Sequence, residues 1–353
     1  MIKPLTSLRF FFAFLVMLSH YQIAGIPLFS EGYIGVSFFF ILSGFVLTYA
    51  YKERMGEGSI SKKDFYVARF ARIYPLHLLT FLLALIIAFV ISAPFTWDMM
   101  VLNLLLLQSW VPDPAYYFAF NGPSWSISDE AFFYLIFPFL LYFITRMYPR
   151  WRWVLFVSIL VLYGAILVGC MHMGTTDDVV FYVNPLFRLV DFMIGMGLYF
   201  LWSHSSLSKQ HSDIYTWKNT WLELGVLGLL VIAIWLSYDV PQILRYAIYY
   251  WLPMALVILV FARRNGGGYV SKLMSWKPLV IAGEVSFGFY MIHGLALQVG
   301  QPILNKVSGW LGLEFPEILR FAILFCAILG CSLLSFYYFE TPVNKWIKSR
   351  FKA

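Results

Sequence analysis

Long apolar segments are the feature of this sequence that most restricts how it can fold. About 20 consecutive apolar residues are enough for an α-helix to cross a bilayer, and inside a bilayer only helices and closed barrels satisfy their backbone polar groups. The composition is that of a membrane protein, because 61% of the 353 residues are hydrophobic and only 12% are charged. We therefore predict an all-α integral membrane protein with about ten transmembrane helices. The predicted spans are 10–29, 33–51, 73–93, 129–145, 153–171, 185–203, 221–239, 245–262, 278–300 and 317–339.

The apolar segment 99–110 is treated separately. Its sequence, MMVLNLLLLQSW, is short for a membrane span and favours a re-entrant or interfacial helix. The first apolar run has no small-residue cleavage site, so we expect a retained first helix rather than a signal peptide. We see no linker, low-complexity tract or internal repeat, and we expect residues 1–353 to form a single transmembrane domain.

The distribution of basic residues predicts the orientation in the membrane. With ten spans and the N-terminus inside, all but four of the 25 Lys and Arg residues fall in cytoplasmic segments, as the positive-inside rule requires. Both termini are therefore expected in the cytoplasm. The net charge of +7 is explained by this anchoring, and we expect no nucleic-acid partner. The four exceptions are Arg188, Arg245, Lys306 and Arg320.

Arg9 and His20 are ionisable residues in or beside the first span, where such groups are costly. Eleven residues return almost to the same side of a helix, so both side chains lie on one face, roughly 16 Å apart along the axis. A cation at the membrane surface and an imidazole deeper in the bilayer suggest a passage. An anion would be held at the surface, and the reaction would occur deeper in the membrane. The alternative is that Arg9 only reaches the membrane surface and His20 only bonds a neighbouring helix.

Arg69 and Arg72 precede the third span and are spaced i, i+3, so they project from one side of a helical turn. Two guanidinium groups close together suit a phosphate ligand. Ordinary positive-inside anchoring is the alternative. In the second span, Gly35 and Gly44 favour the close approach of another helix.

Polar residues are also concentrated in FNGPSWSISDEAFFY, at 120–134, where an external loop enters the fourth span. Helix capping explains part of this pattern. Glu130, expected at about the depth of His20, could also orient that imidazole or accept a proton. Trp125 is either a residue of the interfacial aromatic belt or a stacking platform for a sugar. The candidate cavity or substrate residues are Trp125, Ser126, Ser128, Tyr290 and His293, each of which could instead be satisfied within the helix bundle.

Taken together and in order, these strings resemble the acyltransferase-3 family of bacterial multi-pass membrane acyltransferases. Arg9 and His20 match its motif of arginine, ten residues and histidine, and GVSFFFILSGF matches its second span. RFARIYP matches its paired arginines and WSISDE its tryptophan-serine block, while SFGFYMIH and FETP resemble two later blocks. The chain departs from the family at three positions. Asp129 stands where valine is common, Ala131 where glutamate or glutamine is common, and Asp191 where glutamate is common.

The resemblance implies a bacterial inner-membrane enzyme that moves an acyl group, such as acetyl, from cytoplasmic acyl-coenzyme A to a hydroxyl of a surface or secreted polysaccharide or of its lipid-linked precursor. Arg9, Arg69 and Arg72 would hold the phosphates of coenzyme A. His20 would act as general base or as a transient acyl carrier, with Glu130 orienting it or sharing the proton. We expect no metal.

Many members of the family carry an extracytoplasmic hydrolase-like domain. We expect none here, and the chain resembles the stand-alone members. Its expected partners are acyl-CoA, a glycan acceptor, membrane lipid and, as a further option, a polysaccharide biosynthesis or export complex. A proton-coupled transporter or flippase of a lipid-linked sugar or organic acid is the alternative function. A non-catalytic assembly partner of an export complex is a third reading.

Overall fold

A computed structural model describes residues 2–21, 31–173, 178–208, 214–263 and 267–351 of the chain. Within these ranges the secondary structure is helical and contains no β-strand. The helices, in chain order, are α1 (Lys3–Tyr21), α2 (Ile34–Gly56), α3 (Lys62–Val90), α4 (Trp97–Leu104), α5 (Pro114–Tyr117), α6 (Trp125–Arg146), α7 (Pro149–Met173), α8 (Asp178–Val183), α9 (Pro185–His204), α10 (Trp217–Leu236), α11 (Gln242–Ala247), α12 (Trp251–Phe261), α13 (Tyr269–Met274), α14 (Lys277–Leu311), α15 (Glu317–Ser335) and α16 (Thr341–Phe351). A π-helical turn, Phe336–Glu340, joins α15 to α16.

Nine helical segments of the described residues are long and apolar enough to cross a membrane. They correspond to the second to tenth predicted spans, and the pair α11–α12 supplies one of them. The first predicted span, 10–29, coincides with α1 as far as Tyr21, and its remainder, 22–29, lies outside the described residues. The prediction of an all-α, multi-pass membrane protein is confirmed.

The third span begins much earlier than its apolar sequence indicates. The predicted start was 73, but α3 begins at Lys62, and the hydroxyl of its N-cap residue Ser61 accepts a hydrogen bond from the Asp64 amide at 3.0 Å. Pro75 does not interrupt the helix. Arg69 and Arg72 therefore lie inside a long, rigid helix rather than in a loop before it.

The segment around 99–110 does not span the membrane, as predicted. Its helix α4 has only eight residues, and a 3-10 turn follows at Gln108–Trp110. The buried His77 side chain of α3 holds α4 in place. Its Nε2 atom lies 2.9 Å from the Asn103 carbonyl oxygen. Gln108 donates to the Ser124 carbonyl at 3.0 Å. The segment is thus tied to the start of α6.

Close contacts through glycine bring the central helices together. A Cβ atom at Gly44 of α2 would lie 2.0 Å from the Phe192 carbonyl oxygen of α9, and one at Gly283 of α14 would lie 1.9 Å from the Thr6 carbonyl oxygen of α1. Only glycine permits such backbone approach. Helix α1 packs against both α2 and α14. Helix α1 therefore packs between α2 and α14.

Candidate active site

Three arginines from two helices line one cavity, which we call the arginine cavity. It has a volume of about 160 Å³ and contains Arg9 from α1, Arg69 and Arg72 from α3, and Glu130 and Tyr134 from α6. The sequence predicted Arg9, Arg69 and Arg72 as binding residues, and the structure brings all three together. Their convergence creates an anion-binding environment.

Arg69 is held by aromatic rings. Its guanidinium carbon lies 5.5 Å from the ring centroid of Tyr51 and 5.6 Å from that of Tyr134, and its Nη2 atom donates to the Tyr51 hydroxyl at 3.2 Å. Cation–π contacts position a guanidinium without neutralising it. No carboxylate of the described residues forms a salt bridge with Arg69. Its charge is therefore available to an anionic ligand.

Arg72 is positioned by the C-terminal FETP motif. Its Nη1 atom lies 3.6 Å from Oε2 of Glu340, and its guanidinium carbon lies 5.1 Å from the Phe287 ring centroid. The π-helical turn before α16 ends at Glu340, whose side chain is buried. The motif thus serves to orient an arginine of the cavity.

Glu130 belongs to the arginine cavity and does not contact His20. Its carboxylate accepts hydrogen bonds from the Tyr134 hydroxyl and, at 3.4 Å, from Ser43. Glu130 and His20 line different cavities. Helix α6 begins at Trp125, not at 129, so Glu130 lies in its second turn, roughly 7 Å further along the axis than a residue at the helix entrance.

His20 lines a second cavity, which we call the histidine cavity. It has a volume of about 430 Å³, and its walls include Tyr33, Trp125, Tyr182 and Tyr290. The Trp125 and Tyr182 rings are 4.7 Å apart between centroids. Trp125 is only 3% exposed, so it is a wall of this cavity and not a residue of the interfacial belt.

A buried carboxylate supports this aromatic wall. Glu31 accepts hydrogen bonds from the hydroxyls of Tyr33 at 2.5 Å and Tyr250 at 2.7 Å, and it forms a salt bridge with Arg245. The Tyr33 hydroxyl donates to this carboxylate, and the hydrogen bond holds the ring in place.

The imidazole of His20 is oriented by two partners. Its Nδ1 atom lies 2.8 Å from the Val16 carbonyl oxygen and 3.3 Å from Nε2 of His293. The Nδ1 atom of His293 in turn lies 2.5 Å from the Tyr290 carbonyl oxygen. Carbonyl oxygens only accept hydrogen bonds, so each neutral ring carries its proton on Nδ1. The described residues give Nε2 of His20 no hydrogen-bond partner, and its lone pair is the acceptor of the ring.

Two residues separate the cavities. Val36 and Tyr290 line both of them. The Tyr290 hydroxyl lies 2.9 Å from Oγ of Ser126 and donates to the Pro123 carbonyl at 3.1 Å. The GPSWS segment and the SFGFYMIH segment therefore meet in the wall between the arginines and His20.

Ser128 and Asp129 lie outside this arrangement. Ser128 was predicted as a cavity residue, but it lines neither cavity and bonds the Leu106 carbonyl at 2.6 Å and Ser109 at 2.7 Å. Two helical positions turn by about 200°, so Ser126 and Ser128 face different neighbours. The side chain of Asp129 is fully buried, and neither carboxylate oxygen has a hydrogen-bond partner among the described residues.

Sequence reasoning missed the aromatic residues that hold the site. Tyr134 follows Glu130 by four positions, a spacing that predicts contact on a helix. Tyr51, Tyr182 and Phe287 gave no comparable signal, because their contacts join helices distant in the sequence.

Comparison with known proteins reveals related chains. The model of the acyltransferase-3 family, described as an acyltransferase domain, matches residues 4–337. The acyltransferase MdmB of Streptomyces mycarofaciens is 31% identical, with 88% of this chain and 82% of MdmB covered. The peptidoglycan O-acetyltransferase OatA of Listeria monocytogenes is 26% identical, with coverage of 89% and 51%. The putative peptidoglycan O-acetyltransferase YrhL of Bacillus subtilis is 24% identical, with coverage of 89% and 50%. The chain thus spans about half the length of the latter two, and no solved structure matches it.

Proposed function

This chain belongs to the acyltransferase-3 family, and from this premise we propose that it transfers an acyl group, acetyl in the simplest case, from acyl-coenzyme A to a hydroxyl of a polysaccharide or its lipid-linked precursor. The arginine cavity would open to the cytoplasm of a bacterial inner membrane and the histidine cavity to the opposite side. The observation that carries this proposal is the shared wall of Tyr290 and Val36, which sets an anion-binding cavity against a cavity containing an oriented imidazole.

The donor fits the arginine cavity by charge and by length. Coenzyme A carries its phosphates at one end of a long, thin arm that ends in the thioester. Arg69 and Arg72, with Arg9 behind them, would bind the phosphates. The arm would then follow α1 from Arg9 towards His20, a rise of roughly 16 Å along the helix axis.

His20 would act as general base. Its free Nε2 lone pair accepts the proton of the acceptor hydroxyl while that oxygen attacks the thioester carbonyl. The C–O bond forms, the C–S bond breaks, and the proton is returned to the coenzyme A thiolate. Nε2 of His293 accepts the Nδ1–H of His20, which supports the positive imidazolium formed during the step. A variant in which Nε2 itself is transiently acylated uses the same geometry.

The wall residues and Glu130 would have separate duties. The Tyr290 hydroxyl lies where the thioester must pass, and it could donate a hydrogen bond to the carbonyl oxygen as negative charge develops there. Glu130 lines the cavity proposed for the donor. There it would align the Tyr134 hydroxyl and balance the positive charge of Arg9. It would affect His20 only indirectly, through the positions of the bound substrates.

The acceptor fits the histidine cavity. Aromatic rings are apolar surfaces on which a sugar ring can stack, and Trp125, Tyr33 and Tyr182 supply three of them. Two of the relatives carry names that specify peptidoglycan O-acetylation. A peptidoglycan precursor is therefore a reasonable first acceptor to test, beside an exopolysaccharide.

The experiment that tests the function measures donor binding by calorimetry on the detergent-purified protein. We expect saturable binding of acetyl-CoA that the Arg69→Ala/Arg72→Ala double variant loses. Arg146→Ala/Arg150→Ala is the matched control, because it removes the same charge from the facing ends of α6 and α7, outside the cavity, and should bind normally. A folded wild type that binds neither acetyl-CoA nor coenzyme A would contradict the proposal. In that case, substrate movement without release of free coenzyme A in proteoliposomes would identify a transporter.

A further inference from the structure

The C-terminal helix brings another basic residue to the arginine cavity. Helix α16 packs against α3, and the Asn344 side-chain amide donates to the Ala71 carbonyl at 2.9 Å. Ala71 lies between Arg69 and Arg72 in the sequence. The side chain of Ile347, on the same helix, is buried. The rotation of α16 about its axis is thereby fixed.

Lys348 lies one helical turn after Asn344 and on the same face of α16. It is partly buried, in contrast to the exposed Lys345 of the same helix. Its ammonium group lies within electrostatic range of both Arg69 and Arg72. It does not line the arginine cavity. Lys348 therefore lies beside the two arginines without lining the cavity, and we call this position the rim of the cavity.

The resulting group of charges is unbalanced. Arg9, Arg69, Arg72 and Lys348 provide four positive charges, whereas the nearby carboxylates are those of Glu130 and Glu340. Like charges gathered in a partly buried site repel each other, and binding of a multivalent anion relieves that repulsion. The two excess positive charges favour a ligand with more than one phosphate.

We propose that Lys348 binds the 3′-phosphate on the ribose of acyl-coenzyme A and makes the protein prefer coenzyme A over 3′-dephospho-coenzyme A. This inference rests on the proposed function. Coenzyme A carries a diphosphate between its pantetheine arm and its adenosine, and the 3′-phosphate lies at the adenosine end. With the arm directed inwards, Arg69 and Arg72 reach the diphosphate. The phosphate furthest from the thioester then lies at the rim, beside Lys348.

The test compares the affinities of coenzyme A and 3′-dephospho-coenzyme A by calorimetry for the purified full chain. Lys348→Ala should weaken coenzyme A binding about tenfold, the effect of losing one charge-assisted contact, and leave the affinity for the dephospho form unchanged. Lys345→Ala is the matched control and should change neither affinity. Lys348→Arg should restore most of the preference, which a purely structural role of the lysine would not require.

Five results would overturn the inference. Equal weakening of both ligands by Lys348→Ala would mean that the lysine acts on the diphosphate or on the fold, and unchanged affinities would mean that it contacts neither. If Lys348→Ala instead reduces only the retention of phosphatidylglycerol in nanodiscs, the phosphate is a lipid headgroup. If the wild type binds neither nucleotide, both the donor assignment and this inference are rejected. If the wild type binds both nucleotides with equal affinity, only this inference is rejected.

Discussion

The Nδ1 atom of His20 lies 3.3 Å from Nε2 of His293, although the two residues are 273 positions apart in the sequence. Both rings are held by backbone carbonyls, those of Val16 and Tyr290. This chain of contacts fixes one tautomer and directs the unprotonated nitrogen of His20 away from its partner. The pair gives the imidazole the orientation that a carboxylate provides in many enzymes.

Replacing His20 should separate chemistry from donor binding. We expect His20→Ala to reduce acyl transfer by about 10² to 10⁴-fold, the usual contribution of a general base. The affinity for acetyl-CoA should be unchanged, because His20 does not line the arginine cavity. Acyl transfer is measured as the release of free coenzyme A, and donor binding is measured by calorimetry. Normal turnover by a folded His20→Ala protein would eliminate this assignment.

His293 should affect turnover through its hydrogen bond to His20. His293→Leu removes the acceptor and should lower kcat roughly tenfold or more, with little change in KM for the donor. His293→Gln keeps an acceptor oxygen at a similar reach and should retain more activity than the leucine variant. Equal losses in both variants, together with equal falls in thermal stability, would show that His293 acts only in packing.

The Tyr290 hydroxyl can be tested with Tyr290→Phe, which keeps the ring in the wall. We expect kcat to fall by about ten- to a hundredfold, because a donor close to the thioester is lost. Tyr249→Phe is the control, since its hydroxyl also donates to a backbone carbonyl, that of Ala233 at 2.8 Å, but lines neither cavity. If both variants have wild-type turnover, Tyr290 serves only as a wall.

Removing the buried carboxyl group of Asp129 should stabilise the protein. Its fully buried carboxylate has no salt-bridge partner among the described residues, because Arg188 is already paired with Asp191 at 2.8 Å. We expect Asp129→Val to raise the free energy of unfolding by roughly 1–2 kcal/mol, the cost of an unpartnered buried polar group. Thermal melting in detergent measures the change, and Asp129→Asn should gain less. Lower stability of the valine variant would show that the carboxylate is paired in solution.

The contact between α2 and α9 should not tolerate a methyl group. Gly44→Ala places an atom against the Phe192 carbonyl and should lower the free energy of unfolding by roughly 1–3 kcal/mol. Gly225→Ala in α10 is the control, because a Cβ there meets no atom within 4 Å. Similar melting temperatures for the two variants would contradict the close packing described here.

The length and apolar character of the spans were sufficient to predict the helices. Membrane helices must satisfy their own backbone, so long apolar runs have few alternatives. The start of α3 was harder to predict, because the basic stretch before Pro75 resembles a loop although the helix continues through it. The short helix α4 was recognised because eight to twelve residues cannot cross a bilayer.

The sequence predicted which residues line the two cavities better than it predicted which of them contact each other. Arg69 and Arg72 are close because of local helical spacing, which a sequence displays directly. The contact between His20 and His293 depends on how closely α1 approaches α14 at Gly283, and spacing along the chain does not encode that approach. The fourth span was predicted to begin at 129, but α6 begins four residues earlier, which is about one turn.

The wall of Val36 and Tyr290 also has a consequence for the membrane as an electrical insulator. In the proposed orientation, each cavity is a water-accessible inlet from a different aqueous phase, and together they thin the low-dielectric barrier locally. An open connection would let protons leak and dissipate the transmembrane potential. In this proposal, a partition made by one tyrosine and one valine would let an acyl group of a few atoms reach His20 while the bilayer remains sealed to ions.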